Sequence, residues 1–187
     1  MIYIGIIVLI ILIFMFLLSI KNKFVTLDNI NKEAWSNTRV YLQQRLDLIP
    51  NLVNTVKGYS KHEKDTLTSV IEARNKLVNM DLTNVENIED IAKYESKLTN
   101  ALRHISMLTE NYPDLKADTS FLNLQNKLSE IENNILSARK YYNATTRELN
   151  IFTEKFPNSL FFNIFNFRKA KLFETTQNVD TTVKVEF

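Results

Sequence analysis

The chain has no cysteine, and only two glycines and three prolines in 187 residues. The missing cysteine excludes disulfides, thiolate metal sites and cysteine nucleophiles. Sheets and loop-rich folds depend on turn residues, so the shortage of glycine and proline favours long helices with few connections. An excess of charge of one sign is also lacking: the formal net charge is +2, with basic and acidic residues interspersed. A nucleic-acid interface wants a concentrated basic face, so no nucleic acid is expected as a partner. No stretch shows the period-two alternation of a half-buried strand.

What is present begins with an apolar run. Ile2 to Ile20 contains no charged residue. As a helix it spans roughly 28 Å, close to the thickness of a bilayer's hydrocarbon core. A cleaved signal peptide would show a basic start, a shorter apolar core and a small-residue cleavage site. This run has none of them, and its first charge, Lys21, comes after it. Residues 1–20 are therefore expected to form an uncleaved, single-pass transmembrane helix with the lipid bilayer as its partner. Lys21 and Lys23 lie on one side only, so the positive-inside rule places the remainder in the cytoplasm and the N-terminus outside.

Residues 21–156 show helical periodicity. One apolar stripe runs through Leu27, Ile30, Ala34, Thr38, Leu42, Ile49, Leu52, Val56 and Tyr59. Further stripes run through Leu67, Val70, Ile71, Leu77 and Val78, then Ile88, Ile91, Leu98, Ala101 and Ile105, then Phe121, Leu128, Ile135, Tyr142, Leu149 and Phe156. Helices are expected at about 24–58, 61–79, 85–111 and 118–155, with Pro113-Asp114 ending the third. Separate amphipathic helices must bury their stripes together. The expected fold is all-α: a transmembrane helix followed by an antiparallel bundle of about four long helices. Residues 157–174 form a Phe-rich segment with Arg168, Lys169 and Lys171 interleaved, suited to cap the bundle end or to meet a membrane surface. Residues 175–187 are polar and read as a flexible tail.

Candidate functional residues concentrate in 44–63. Arg45 interrupts the apolar stripe, and a buried charge needs a partner. Arg74 and Arg139 occupy comparable places on later helices, and Asp47, Glu72, Glu110 and Glu132 are available acids. Interhelical ion pairs follow from these; the alternative is a polar ligand pocket around Arg45, Asp47 and Asn51. Pro50 removes a backbone donor, so a kink or break is expected there. Gly58 reads as a helix stop, and Ser60 with Glu63 as a capping box that starts the next helix. Asp47, Asn51 and Lys57 have no evident structural task.

Enzyme chemistry is not expected. His62-Glu63 lacks the second histidine of a His-Glu-x-x-His zinc site, and His104 stands alone. No glycine-rich phosphate loop is present, and nothing brings a catalytic triad together. No cofactor or metal is called for.

The motifs resemble the LemA family of bacterial membrane proteins. The resemblance is carried by Arg45-Leu46-Asp47-Leu48-Ile49-Pro50-Asn51-Leu52-Val53, Thr55-Val56-Lys57-Gly58-Tyr59 and His62-Glu63. It continues in Ala73-Arg74, Glu110-Asn111-Tyr112-Pro113-Asp114-Leu115-Lys116-Ala117, Ala138-Arg139, Tyr142-Asn143, Phe156-Pro157-Asn158 and Phe173-Glu174. It implies a membrane-anchored helical bundle with a short outside N-terminus and no established catalysis. The Phe161–Phe167 segment is richer in phenylalanine than the family pattern. The resulting expectation is a non-enzymatic scaffold at the cytoplasmic face of the membrane. Its partners would be a membrane or cytoplasmic protein, with self-association through anchor or bundle.

Overall fold

The computed structural model describes residues 1–59 and 63–174. Among these the chain is helical and contains no strand. The elements are α1 (Ile2–Tyr59), α2 (Lys64–Val78), α3 (Ile88–Leu108), α4 (Pro113–Ala117) and α5 (Thr119–Glu154). Single 3-10 turns at Val85–Asn87 and Thr109–Asn111 flank α3, and another follows α5 at Asn158–Phe161. A long apolar N-terminal helix is thus followed by several helices that pack together.

Two boundaries differ from the sequence reading. No break separates a membrane helix ending at 20 from a bundle helix starting near 24: Lys21, Asn22 and Lys23 are exposed and helical, and none is a residue that stops a helix. Nor does Pro50 end α1. Proline cannot donate to the carbonyl four residues back. That carbonyl belongs to Leu46, and it accepts instead from Arg74 Nε of α2 at 2.9 Å. The orphaned acceptor is satisfied from a neighbouring helix, so the helix continues.

The remaining differences lie at helix ends. The second helix begins at Lys64 rather than 61, with Glu63 at its N-cap and no capping side-chain bond. The capping-box expectation for Ser60, the placement of His62 and the tail at 175–187 lie outside the described residues. Gly58 does not take a left-handed stop conformation; α1 runs one residue further. The third helix is shorter than 85–111 because its two ends tighten into 3-10 turns. Pro113 does not only end a helix: it opens α4 as the first helical residue, where its missing N–H costs nothing. Asp118 caps α5 by accepting from the Phe121 N–H at 2.8 Å.

The chain divides into two compact units. The first comprises Met1–Thr38 and Leu136–Leu172. In it the side chains of Ile2 to Phe16 are exposed and almost all apolar. This part of α1 is long and apolar enough to cross a bilayer. Beyond it, Ile20, Phe24 and Leu27 of α1 are buried with Leu149 of α5 and Phe167. Here α1 and α5 run antiparallel: Asn31 bonds to Thr145 and Thr146, and Trp35 packs on Tyr142 with ring centroids 5.3 Å apart.

The second unit comprises Arg39–Ile135 and the described residues from Phe173. Its core takes Leu42, Leu46, Ile49, Leu52 and Val56 from α1, and Leu67, Val70 and Leu77 from α2. Ile88, Ile91, Leu98 and Ile105 of α3, Leu115 of α4, and Phe121 and Ile135 of α5 complete it. Tyr59, Ile71 and Val78, counted in the stripes, are exposed instead.

Candidate functional site

The buried charge of the second unit lies at Arg45. One turn of α1 on either side, Leu42 and Ile49 are fully enclosed, so Arg45 enters the core with them. Its Nη1 meets Glu95 Oε1 of α3 at 2.6 Å and Glu132 Oε2 of α5 at 2.8 Å. Thr99 adds a hydroxyl donor to Glu95 Oε1 at 3.2 Å. The Arg45 and Glu95 side chains are 5% and 4% exposed, whereas Glu132 is 44% exposed. Glu95 is therefore the acid that cannot resort to water if the arginine is removed. Arg45 Nε has no hydrogen-bond partner among the described residues.

A cavity of about 450 Å³ opens beside this cluster, lined by Arg45, Thr99, Arg103, Gln125, Glu132 and Asn133 among others. One guanidinium faces two carboxylates, and Arg103 supplies a second cation at the cavity. The Arg45 charge is already engaged by both acids, which leaves little of it to attract an anion.

The other singled-out residues do not converge here. Asp47 is exposed and accepts from Gln43 Nε2 at 2.8 Å. It borders a separate recess with Lys127 and Glu130. Asn51 is exposed, and its carbonyl accepts from Thr55 Oγ1 at 2.9 Å. Lys57 is exposed in the last turn of α1, where a cation complements the helix dipole. Among the described residues, nothing lies within 4 Å of where a side chain at Gly58 would begin, its chain neighbours aside. Glu63 accepts from the Tyr112 hydroxyl at 3.2 Å. Arg74 holds the Leu46 carbonyl rather than an acid. Arg139 belongs to the first unit and is half-buried. A pocket built on Arg45, Asp47 and Asn51 together is therefore not what the structure forms.

Sequence reasoning missed Glu95. The signal was present: Glu95 is four residues from Ile91 and sits among the apolar positions of α3. Among the described residues, no group of three His, Cys, Asp or Glu is arranged to hold a metal ion.

Polar groups also order the first unit. Asp28 Oδ1 accepts from Arg168 Nε and Nη2, both at 2.7 Å, and Asp28 Oδ2 meets Lys32 at 2.7 Å. Asn150 clamps the Ala170 backbone in both directions at 2.9 Å. The Tyr142 hydroxyl donates to the Lys171 carbonyl at 2.7 Å, and burial raises its pKa above the ordinary tyrosine value. These bonds tie the segment after α5 back onto α1 and α5.

The sequence model of the LemA family matches residues 34–187, which include Arg45, Glu95, Glu132 and the whole Phe-rich segment. The chain belongs to the LemA family. A relative named Protein LemA, from Metamycoplasma hominis, is 27% identical over 130 residues, covering 70% of this chain. The match spans 58% of that relative's own length. The magnetosome proteins MamQ 1 and MamQ 2 of Paramagnetospirillum magneticum are each 25% identical over 183 residues, covering 87% of this chain and 67% of theirs. For this LemA-family chain, the matched region begins at residue 34, after the apolar run.

Proposed function

We propose that this LemA-family protein is a non-enzymatic scaffold: a helical bundle tethered to the cytoplasmic face of a membrane that presents its surface to protein partners. The carrying observation is that α1 is one uninterrupted helix from the exposed apolar run into the packed helices. A bundle tethered to its anchor is kept near the bilayer and concentrated for other membrane proteins. The location of Lys21 and Lys23 just beyond the apolar run supports the cytoplasmic side. The engagement of Arg45 by Glu95 and Glu132 supports an architectural role for the buried charge rather than a catalytic one. Self-association through the anchor is part of the same reading.

Crosslinking in intact cells followed by mass spectrometry tests it. A reproducible membrane or cytoplasmic protein crosslinked to exposed lysines such as Lys93 or Lys127 is the expected result. Full-length chain that yields no crosslinked protein would contradict it.

Ligand binding is the second reading, favoured by the cavity beside Arg45. It requires that Arg103→Ala abolish binding of a small polar ligand while leaving the melting temperature of the full chain unchanged.

A further inference from the structure

The segment that follows α5 has two apolar faces, and only one is used. Phe161, Phe162 and Phe165 pack with Phe152 and Ala170 against the core of Ile20, Phe24, Leu27, Leu149 and Phe167. Phe167 stacks on Phe24 with centroids 4.3 Å apart. The opposite residues are open: Phe156 is 81% exposed, Leu160 64% and Ile164 73%. They recur every four residues through hydrogen-bonded turns, in which Ser159 N–H donates to the Lys155 carbonyl, Leu160 N–H to Pro157, and Phe165 N–H to Phe161. Asn166, with φ of 51°, turns the chain so that Phe167 enters the core; asparagine tolerates this left-handed conformation.

Three large apolar side chains exposed within nine residues are unfavourable in water and mark an interaction surface. Their position identifies the occupant. The core they are built on includes Ile20, the last residue of the apolar run of α1. Ile20 to Leu27 rises only about 10 Å along a helix, little more than the roughly 5–8 Å of polar layer on each side of the hydrocarbon core. The exposed residues therefore belong to a segment packed against the end of the apolar run of α1. Lys21 and Lys23, just after the apolar run, and Lys155, next to Phe156 in the chain, are exposed, matching anionic headgroups.

We propose that residues 156–164 form an interfacial wedge, with Phe156, Leu160 and Ile164 inserted into the headgroup and acyl boundary of the bilayer that α1 spans. The proposal rests on the membrane-anchored reading above. A wedge beside the anchor gives the protein a second lipid contact, which fixes the tilt and rotation of α1 in the membrane.

The chain has no cysteine, so single spin labels can be placed without background. Full-length Leu160→Cys, Ile164→Cys, Ile10→Cys and Tyr141→Cys proteins would be labelled and reconstituted into phosphatidylcholine vesicles containing phosphatidylglycerol. Accessibility to oxygen and to a water-soluble nickel complex would then be compared. The wedge predicts oxygen-to-nickel ratios at 160 and 164 several-fold above that at 141 and below that at 10. Water-like ratios at 160 and 164 with a hydrocarbon-like ratio at 10 would overturn the wedge and leave the anchor intact. Labels at 160 and 164 shielded from both reagents would overturn it in favour of a protein contact. A water-like ratio at 10 would overturn the anchored reading and the wedge with it.

Discussion

Arg74 of α2 donates its Nε to the Leu46 carbonyl of α1 at 2.9 Å, the carbonyl that Pro50 cannot serve. The proline and the arginine are thereby one device, although they stand 24 positions apart in the chain. Leu46 is buried, and an unpaired buried carbonyl costs about 1–3 kcal/mol. Arg74→Ala is expected to destabilise the protein by that amount. In a Pro50→Ala background the backbone N–H at 50 can bond to Leu46, so the same arginine change should cost clearly less. Thermal melts of the four proteins in detergent, read as a double-mutant cycle, measure the coupling. Additive effects would show that proline and arginine act separately.

Arg45 is the second test. Its removal takes from the buried Glu95 the cation that meets it at 2.6 Å, and breaking such a pair costs about 3–5 kcal/mol. Arg45→Ala should therefore lower the melting temperature strongly. Replacing Arg45 by Met and Glu95 by Leu together should recover most of the loss, because Glu132 is half exposed and can turn to water. A melting temperature unchanged by Arg45→Ala would rule out the architectural role of the cluster.

Tyr142 ties the Lys171 carbonyl to α5. Tyr142→Phe keeps the ring against Trp35 and removes only the hydroxyl. The expected loss is about 1 kcal/mol of stability, with faster proteolysis after residue 168. Because burial raises the Tyr142 pKa, its contribution is complete below the ordinary value of 10.0. It declines as pH rises through the higher folded value. The pKa values of Tyr59 and Tyr112 are also raised, so an absorbance titration of tyrosinate should show one late-ionising group fewer in Tyr142→Phe than in the wild type.

Asp118 titrates in the opposite sense. Its bond from the Phe121 N–H, followed by that from the Tyr59 hydroxyl, holds its pKa below the ordinary 3.8. The stability it confers is present above that value and is lost as pH falls through the lower folded one. Asp118→Asn should therefore flatten the acid limb of stability against pH. The same hydrogen bond raises the pKa of Tyr59, so Asp118→Asn should also lower it in the tyrosinate titration.

The helices and most of the core were legible because burial repeats every three to four residues. Leu42, Ile49, Leu52 and Val56 all lie inside. Periodicity assigns a residue to a face of its own helix but does not say which helix it meets. Glu132 was therefore recognised as an available acid, while Glu95, the enclosed partner, was passed over. Pro50 shows the same limit: local rules call for a break, and the group that removes the need for one lies on α2. The short α4 was hidden because proline signals a stop and a start equally well.

Protease accessibility in spheroplasts of a bacterial host expressing the full chain tests whether the bundle is tethered on the cytoplasmic side. Exposed lysines and arginines throughout α3 and α5 give trypsin many cleavage sites. Residues after Lys21 should survive external trypsin and be digested once the membrane is permeabilised. Digestion of the bundle in intact spheroplasts would rule out the cytoplasmic side, and its release from the membrane by alkaline carbonate would rule out the anchor.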